Sequence, residues 1–242
     1  MLRDAIEFPV RGDDAAKTIL IGGLLSVFGV LLVPVIPLVG YLQQVFRTTA
    51  AGDETPPVFD DVEGLFADGL RAVAVSLVYF ALPLLVGLFT FVAVAMFVPA
   101  AFVSAGSGAD PGAVSAVGGV VVFALLGLGL LSTLWTLAAS YLLPPALARV
   151  AETDEVRSGF ALRSVWDTAA TMEYLTAWLL AVLVGVVASA VFSAVAAPTL
   201  VGGLLVPFGS FYLAVVTVRL YAEGVAAATR SGGEPEPREQ VV

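Results

Sequence analysis

Four stretches of this chain carry no charged side chain: residues 18–46, 72–109, 111–148 and 174–218, which run 29, 38, 38 and 45 residues. A helix needs roughly 20 apolar residues to cross about 30 Å of hydrocarbon. The four stretches therefore hold at least five membrane spans and have room for six. A soluble chain spreads charge along its length, at about a quarter of its residues. Here 13% are charged and 59% are apolar, and the mean hydropathy is +0.99. The backbone inside a bilayer must satisfy its own polar groups, and the long apolar runs fit helices. The expected fold is all-α, a polytopic transmembrane helical bundle.

The few charges orient it. Of eleven cations ten are arginine, with Lys17 the exception. They fall in residues 1–17, 47–71, 149–173 and 219–242, and none lies near residues 104–113 or 197–203. Cytoplasmic loops collect Lys and Arg close to the span ends, so the first four segments are expected inside and the two Gly/Ser/Pro/Ala turns outside. Both termini are then cytoplasmic, and an even number of crossings separates consecutive inside segments.

That parity gives about six membrane helices in three hairpins, near residues 14–52, 69–149 and 173–229. The outer turns are "SAGSGADPG" and "APTLVGG". The first hairpin is short and turns between Val33 and Pro37, within "VPVIP". Pro37 lacks an amide hydrogen and its ring crowds the preceding turn. Residues before Pro34 and Pro37 are pushed toward extended backbone. Twenty-nine uncharged residues are too few for two full crossings of about 20 each. Two helices over 14–33 and 37–52 suffice if their charged ends reach headgroup level. The alternative is one span kinked at the prolines. Residues 1–230 read as a single integral membrane domain, and 231–242 as a disordered cytoplasmic tail. The first span is expected to be retained, since a charged prefix precedes it and further spans follow.

Tyr-Leu followed by Arg recurs at Tyr41 to Arg47, Tyr141 to Arg149 and Tyr212 to Arg219. The recurrence suits a threefold hairpin repeat, or interfacial anchors that any membrane helix uses. Two amphipathic helices are expected at the inner interface. In "PPVFDDVEGLFADGLRAV", Asp60 and Glu63 have capping-box spacing, and Val62, Leu65, Phe66, Gly69, Leu70 and Val73 share a face. In "SGFALRSVWDTAATMEY", Phe160, Trp166 and Met172 are the apolar members.

"FPVRGDDAAKTILIGGLL", "GYLQQVFRTTAAGDETPPVFDD" and "LFADGLRAV" resemble the haloarchaeal membrane proteins grouped as the uncharacterised-domain family numbered 4013. The resemblance covers roughly residues 4–225. It implies a membrane location and architecture, and it brings no catalytic residue with it. An acid-rich, lysine-poor surface, twenty acids against eleven bases, also suits a salt-saturated cytoplasm and a halophilic archaeon.

Chemistry finds little foothold. The chain has no cysteine and no histidine, which removes thiol chemistry, the commonest general base and the commonest metal ligand. Asp53, Glu54, Asp60, Asp61, Glu63 and Asp68 form a dense acid set. Without EF-hand spacing they are read as solvating charge and not as a metal site. A serine nucleophile would need Lys17, which stands beside an apolar run with no partner at useful spacing. "IGGLL" and "VGGVV" lack a phosphate-binding pattern, and a net charge of −9 argues against nucleic acid. No enzyme, cofactor, metal or catalytic residue is expected.

Two stripes remain. Ala177, Ala181, Gly185, Ser189, Ser193 and Ala197 recur every fourth residue, a spacing that lets helix backbones approach closely. The Ala181, Gly185, Ser189, Ser193 face is expected to pack internally, or against a membrane partner or a second copy. Ser132, Thr136 and Ser140 form a polar stripe that bonds a neighbouring helix or its own backbone. No acid or base lies inside a span, which disfavours a charge-coupled transporter. The expected role is a non-enzymatic membrane scaffold or accessory subunit in the cell membrane. The alternative is a transporter or permease of a small solute, because broken helices at Pro34/Pro37, Pro83 and Pro207 can build sites from backbone carbonyls.

Overall fold

The computed structural model describes residues 1–31, 33–106, 111–196 and 200–233, and among them the regular structure is wholly helical. In chain order the helices are α1 (Leu2–Glu7), α2 (Ala15–Val27), α3 (Val35–Ala51), α4 (Val62–Tyr79), α5 (Ala81–Gly106), α6 (Pro111–Thr153), α7 (Leu162–Ala169), α8 (Met172–Ala196) and α9 (Leu200–Gly233). They divide into two compact units. One comprises Met1–Val75 with Leu142–Val242, the other Ser76–Tyr141. Both expected outer turns and most of the expected tail fall at least partly on residues 107–110, 197–199 and 234–242, outside the described residues. Residues 231–233, expected as the start of the tail, are the last residues of α9.

The larger unit answers the question posed by the two prolines. The helix α2 ends at Val27, continues as a 3-10 turn over Phe28–Leu31, and α3 begins at Val35. Pro34 is its N-cap, and Pro37 falls within its first turn, where an amide would have no helical partner anyway. The chain doubles back here. A Cβ on Gly22 of α2 would strike the Phe211 ring on α9, and Tyr41 of α3 packs on the same ring at 5.4 Å. Residues 22 and 41 lie at similar distances from the turn, as antiparallel partners must. At the other end Gly52 takes φ +86° and its N–H bonds Thr48 and Thr49, closing α3 with a left-handed cap that glycine adopts without strain.

The span count departs from the expected six. Among the described residues three helical segments are long and apolar enough to cross: Gly118–Thr153, Met172–Ala194 and Gly202–Ser231. The pair Val62–Tyr79 and Ala81–Phe97, bent at a break, makes four if taken as one span. The helix α2, at 13 residues, rises only about 20 Å, short of the hydrocarbon core. The first hairpin is a packed helical pair below span length, and α9 packs against one side of it. The rings of Phe211 and Phe208 rest where Gly22 and Gly23 carry no side chain.

The tightest junction is between α3 and α4. A Cβ on Gly40 would overlap the carbonyl of Leu65, and a Cβ on Gly69 would overlap the carbonyl of Ile36. Two backbones touch at a reciprocal glycine pair. This sets the inward face of α4, which consists of Leu65, Asp68, Gly69, Ala72 and Val75. Of the residues expected to share the apolar face of an interfacial helix, Leu65 and Gly69 point inward, while Val62, Phe66 and Leu70 are exposed. The cap is also one residue later than expected. Asp61 accepts from the Gly64 amide at 2.9 Å and does the work assigned to Asp60 and Glu63.

The core of this unit is Phe8, Tyr41, Val45, Leu65, Phe211 and Val215, with Phe59 stacked on Tyr41 at 4.4 Å. A second cluster, Ala5, Ala181, Val216 and Leu220, lies against the α8–α9 hairpin. Here the small-residue stripe divides. Ala177 and Ala181 are buried, but a Cβ on Gly185 would meet nothing within 4 Å, and Ser189 and Ser193 are exposed. The stripe is therefore not one continuous internal packing face. The contacts that let these helices approach come from α9, where Gly209 receives the Phe192 ring and Gly224 receives Ala177. Gly185→Leu should accordingly leave the melting temperature in detergent nearly unchanged. Ala181→Leu overfills a closed site and should cost about 1–3 kcal/mol. Equal melting of the two variants would contradict this division.

In the smaller unit two members of the α6 stripe bond their own helix. Thr136 donates to the Ser132 carbonyl at 2.8 Å and Ser140 to that of Leu137 at 2.9 Å. Trp135 donates its indole N–H to the Tyr79 carbonyl at 2.8 Å, which satisfies the one polar atom of an otherwise apolar ring.

Candidate functional site

Charged side chains converge where α3, α4 and α6 meet at their polar ends. Arg47, the first base after a 29-residue uncharged run, sits on the last turn of α3. It spans Asp68 with both terminal nitrogens, one of them at 3.0 Å from Oδ1. Its Nε donates to the Ala151 carbonyl at 2.6 Å, and Nη2 donates to Asp154 Oδ1. Arg71, one turn beyond Asp68 on α4, reaches the same two carboxylates at 2.8 and 3.4 Å. The planar fork of arginine matches a carboxylate in this two-nitrogen mode.

Each partner has a local reason to be there. Ala151 lies in the last turn of α6, whose terminal carbonyls have no helical donor and whose dipole favours cations. Asp154 ends that helix with φ +57°, its amide bonded to the Val150 carbonyl at 2.9 Å. Aspartate tolerates the left-handed region better than most residues. Asp68 is the deepest member, with a side chain only 7% exposed against 33% for each arginine. A carboxylate so buried is costly unless paired and hydrogen-bonded, and here two guanidinium groups surround it.

A second focus lies along α9. Arg219 is buried. It donates to Glu223 at 2.9 Å, to the Thr49 hydroxyl at 3.2 Å and to the Asp53 carbonyl at 2.8 Å. Its guanidinium also lies 4.4 Å from the centre of the Phe8 ring, a cation–π distance. One arginine thus ties the N-terminal segment, the end of α3 and α9 together. Beside it opens a polar cleft of about 420 Å³ whose lining includes Thr49, Glu152, Arg219, Glu223, Thr229 and Arg230. Both signs of charge line it. All of these side chains lie at the polar ends of their helices, outside the uncharged runs.

The acid set singled out in the sequence separates. Asp53, Glu54, Asp60, Asp61 and Glu63 are exposed, and Asp68 turns inward to the arginines. Among the described residues no three acidic side chains gather in a way that could hold a metal ion. Lys17 is exposed on α2. Sequence reasoning missed the Arg47–Asp68 pairing, although a signal was present. Asp68 occupies the i+3 position after Leu65 and the i−4 position before Ala72, on an apolar helical face, and a charge on such a face needs a partner.

Residues 22–197 match a family model described as a protein of unknown function, DUF4013. No curated protein and no solved structure matches the chain.

Proposed function

The chain belongs to the DUF4013 family, whose function is unknown, and from that membership and its apolar helices we propose an integral membrane protein acting as a non-enzymatic scaffold or accessory subunit. The observation that carries this reading is where the polar groups lie. Arginines of the two clusters are engaged with carboxylates and backbone carbonyls of other segments, and the cleft stays at the charged ends. Such an arrangement supports a platform held at one membrane surface. Co-purification from native membranes tests it. A membrane protein recovered in fixed ratio is the expected result. Solute flux through the purified chain alone in proteoliposomes would favour a transporter, the reading supported by the interrupted helices at Val33–Pro34 and Phe80.

In this reading the short α2–α3 hairpin dips into the bilayer and returns, the other helices form two further hairpins, and both termini face the cytoplasm across the cell membrane. The meeting of Phe8, Thr49 and Asp53 at Arg219 supports a shared side for residues 1–17 and 47–71. The excess of twenty acids over eleven bases supports a salt-rich interior as the setting. Because the chain has no cysteine, a single Asp53→Cys substitution reports topology cleanly. An impermeant thiol reagent should label it in inverted vesicles and not in intact cells, and labelling from outside would reverse the assignment.

A further inference from the structure

An apolar groove of about 430 Å³ runs beneath the N-terminal helix along the α8–α9 hairpin. Its walls include Val187 and Val191 of α8 and Leu213 and Val216 of α9, and Leu2 and Ile6 of α1 overhang it. The helix α1 has two apolar sides. Ala5, with Phe8 just beyond the helix, is fully buried, which docks the segment, while Leu2 and Ile6 remain 40% and 43% exposed toward the groove. The Tyr212 hydroxyl donates to the Ile6 carbonyl and fixes α1 in place. The charged side of the segment forms a polar rim, where Arg3 and Arg11 pair with Glu7 at 2.8 and 3.4 Å.

We infer that this groove holds one hydrocarbon chain of a membrane lipid, drawn from the leaflet on the α1 side. Three arguments select that occupant. Apart from Leu2 and Ile6, the groove is lined by residues of the 45-residue uncharged run, on two helices of membrane-crossing length, so hydrocarbon is the medium around those walls. Water is excluded as a filling because it needs two to four polar partners, and the walls are almost wholly carbon. The length also fits. Residues 183 to 192 of α8 rise about 14 Å, close to the roughly 15 Å hydrocarbon depth of one leaflet, half of about 30 Å. A helix from a second copy would instead seek small residues for close approach. Those are Gly185, Ser189 and Ser193, each one position past a groove residue and so about 100° around α8.

The test uses the full chain in phosphatidylglycerol vesicles containing a trace of the same lipid with a diazirine at mid-chain. After irradiation and digestion, adducts should concentrate on residues 183–192 and on Leu2 and Ile6, relative to more exposed positions of α5 such as Phe89 and Phe91. Filling the groove with Ala188→Phe should lower those adducts about tenfold, since displacing two methylenes costs enough for that ratio. Val187→Trp fills the same space from a more exposed position and guards against misfolding of the first variant. Val186→Phe, outside the groove, should change nothing. Adducts no denser in the groove than on α5, or insensitive to both filling variants, would reduce the site to ordinary surrounding lipid and overturn the proposal. A photoreactive amino acid placed at residue 187 that cross-links two copies of the chain would also overturn it, in favour of a second copy.

Discussion

Gly40→Val should prevent α3 from seating on α4 and leave little monodisperse protein after extraction. The cost is expected near about 3 kcal/mol, the upper end for overpacking, against a total stability of about 5–15 kcal/mol for a typical domain. What a new Cβ meets is the carbonyl of Leu65, and backbone cannot rotate aside as a side chain can. The milder Gly40→Ala is the sharper experiment because two effects oppose. Glycine within a helix is about 1 kcal/mol worse than alanine, so an open site gains stability and a closed one loses it. Gly87, with nothing within 4 Å, supplies the open case, and Gly87→Ala should melt at the wild-type temperature or above. Gly69→Ala should behave like Gly40→Ala. Combining them should cost less than the sum, since helices already pushed apart admit the second methyl, and contacting residues couple by about 0.5–3 kcal/mol. Additive losses, or a stabilised Gly40→Ala, would show that the two backbones do not touch.

Arg47→Met should cost about 3 kcal/mol, the low end of the range for breaking a buried ion pair. The low end applies because Arg71 still faces Asp68 and because Arg47 is one-third exposed. The loss has two parts: Asp68 is left with one cation, and the Ala151 carbonyl at the end of α6 loses its donor. Adding Asp68→Leu should recover much of that loss, since a buried pair replaced by apolar groups is often neutral. Arg47→Lys should not recover it, because one ammonium cannot hold two carboxylates and a carbonyl in the geometry of a fork. Thermal melts of the three variants in detergent decide the matter. If Arg47→Met and the double variant melt together, Asp68 is not the group that needs the arginine.

The sequence by itself determined the medium that suits this protein and the place where its chain first reverses. Uncharged runs of 29 to 45 residues suit hydrocarbon, a one-body property that depends only on each residue's transfer energy. Local chain stiffness was equally legible. Pro34 and Pro37 mark the reversal because they fall at the start of α3, where the missing amide bond costs nothing, whereas Pro99, Pro144, Pro145 and Pro207 lie inside helices that continue past them. Gly52 closes α3 for a comparable reason, since glycine adopts φ +86° without a Cβ penalty.

The rest required neighbours. Ala181 and Gly185 belong to one four-residue period, yet one is buried and the other faces open space, because burial depends on which helix lies opposite. Which residues of α4 turn inward was decided in the same way. The bare backbone at Gly40 admits only another backbone, and Gly69 supplies it. With that crossing set, Asp68 must turn inward beside Arg47, and the rotation carries Phe66 and Leu70 outward. Pairwise contact across more than twenty residues of chain is a property of the packed state. Composition and periodicity encode which residues tolerate burial, and only the tertiary structure decides which of them meet.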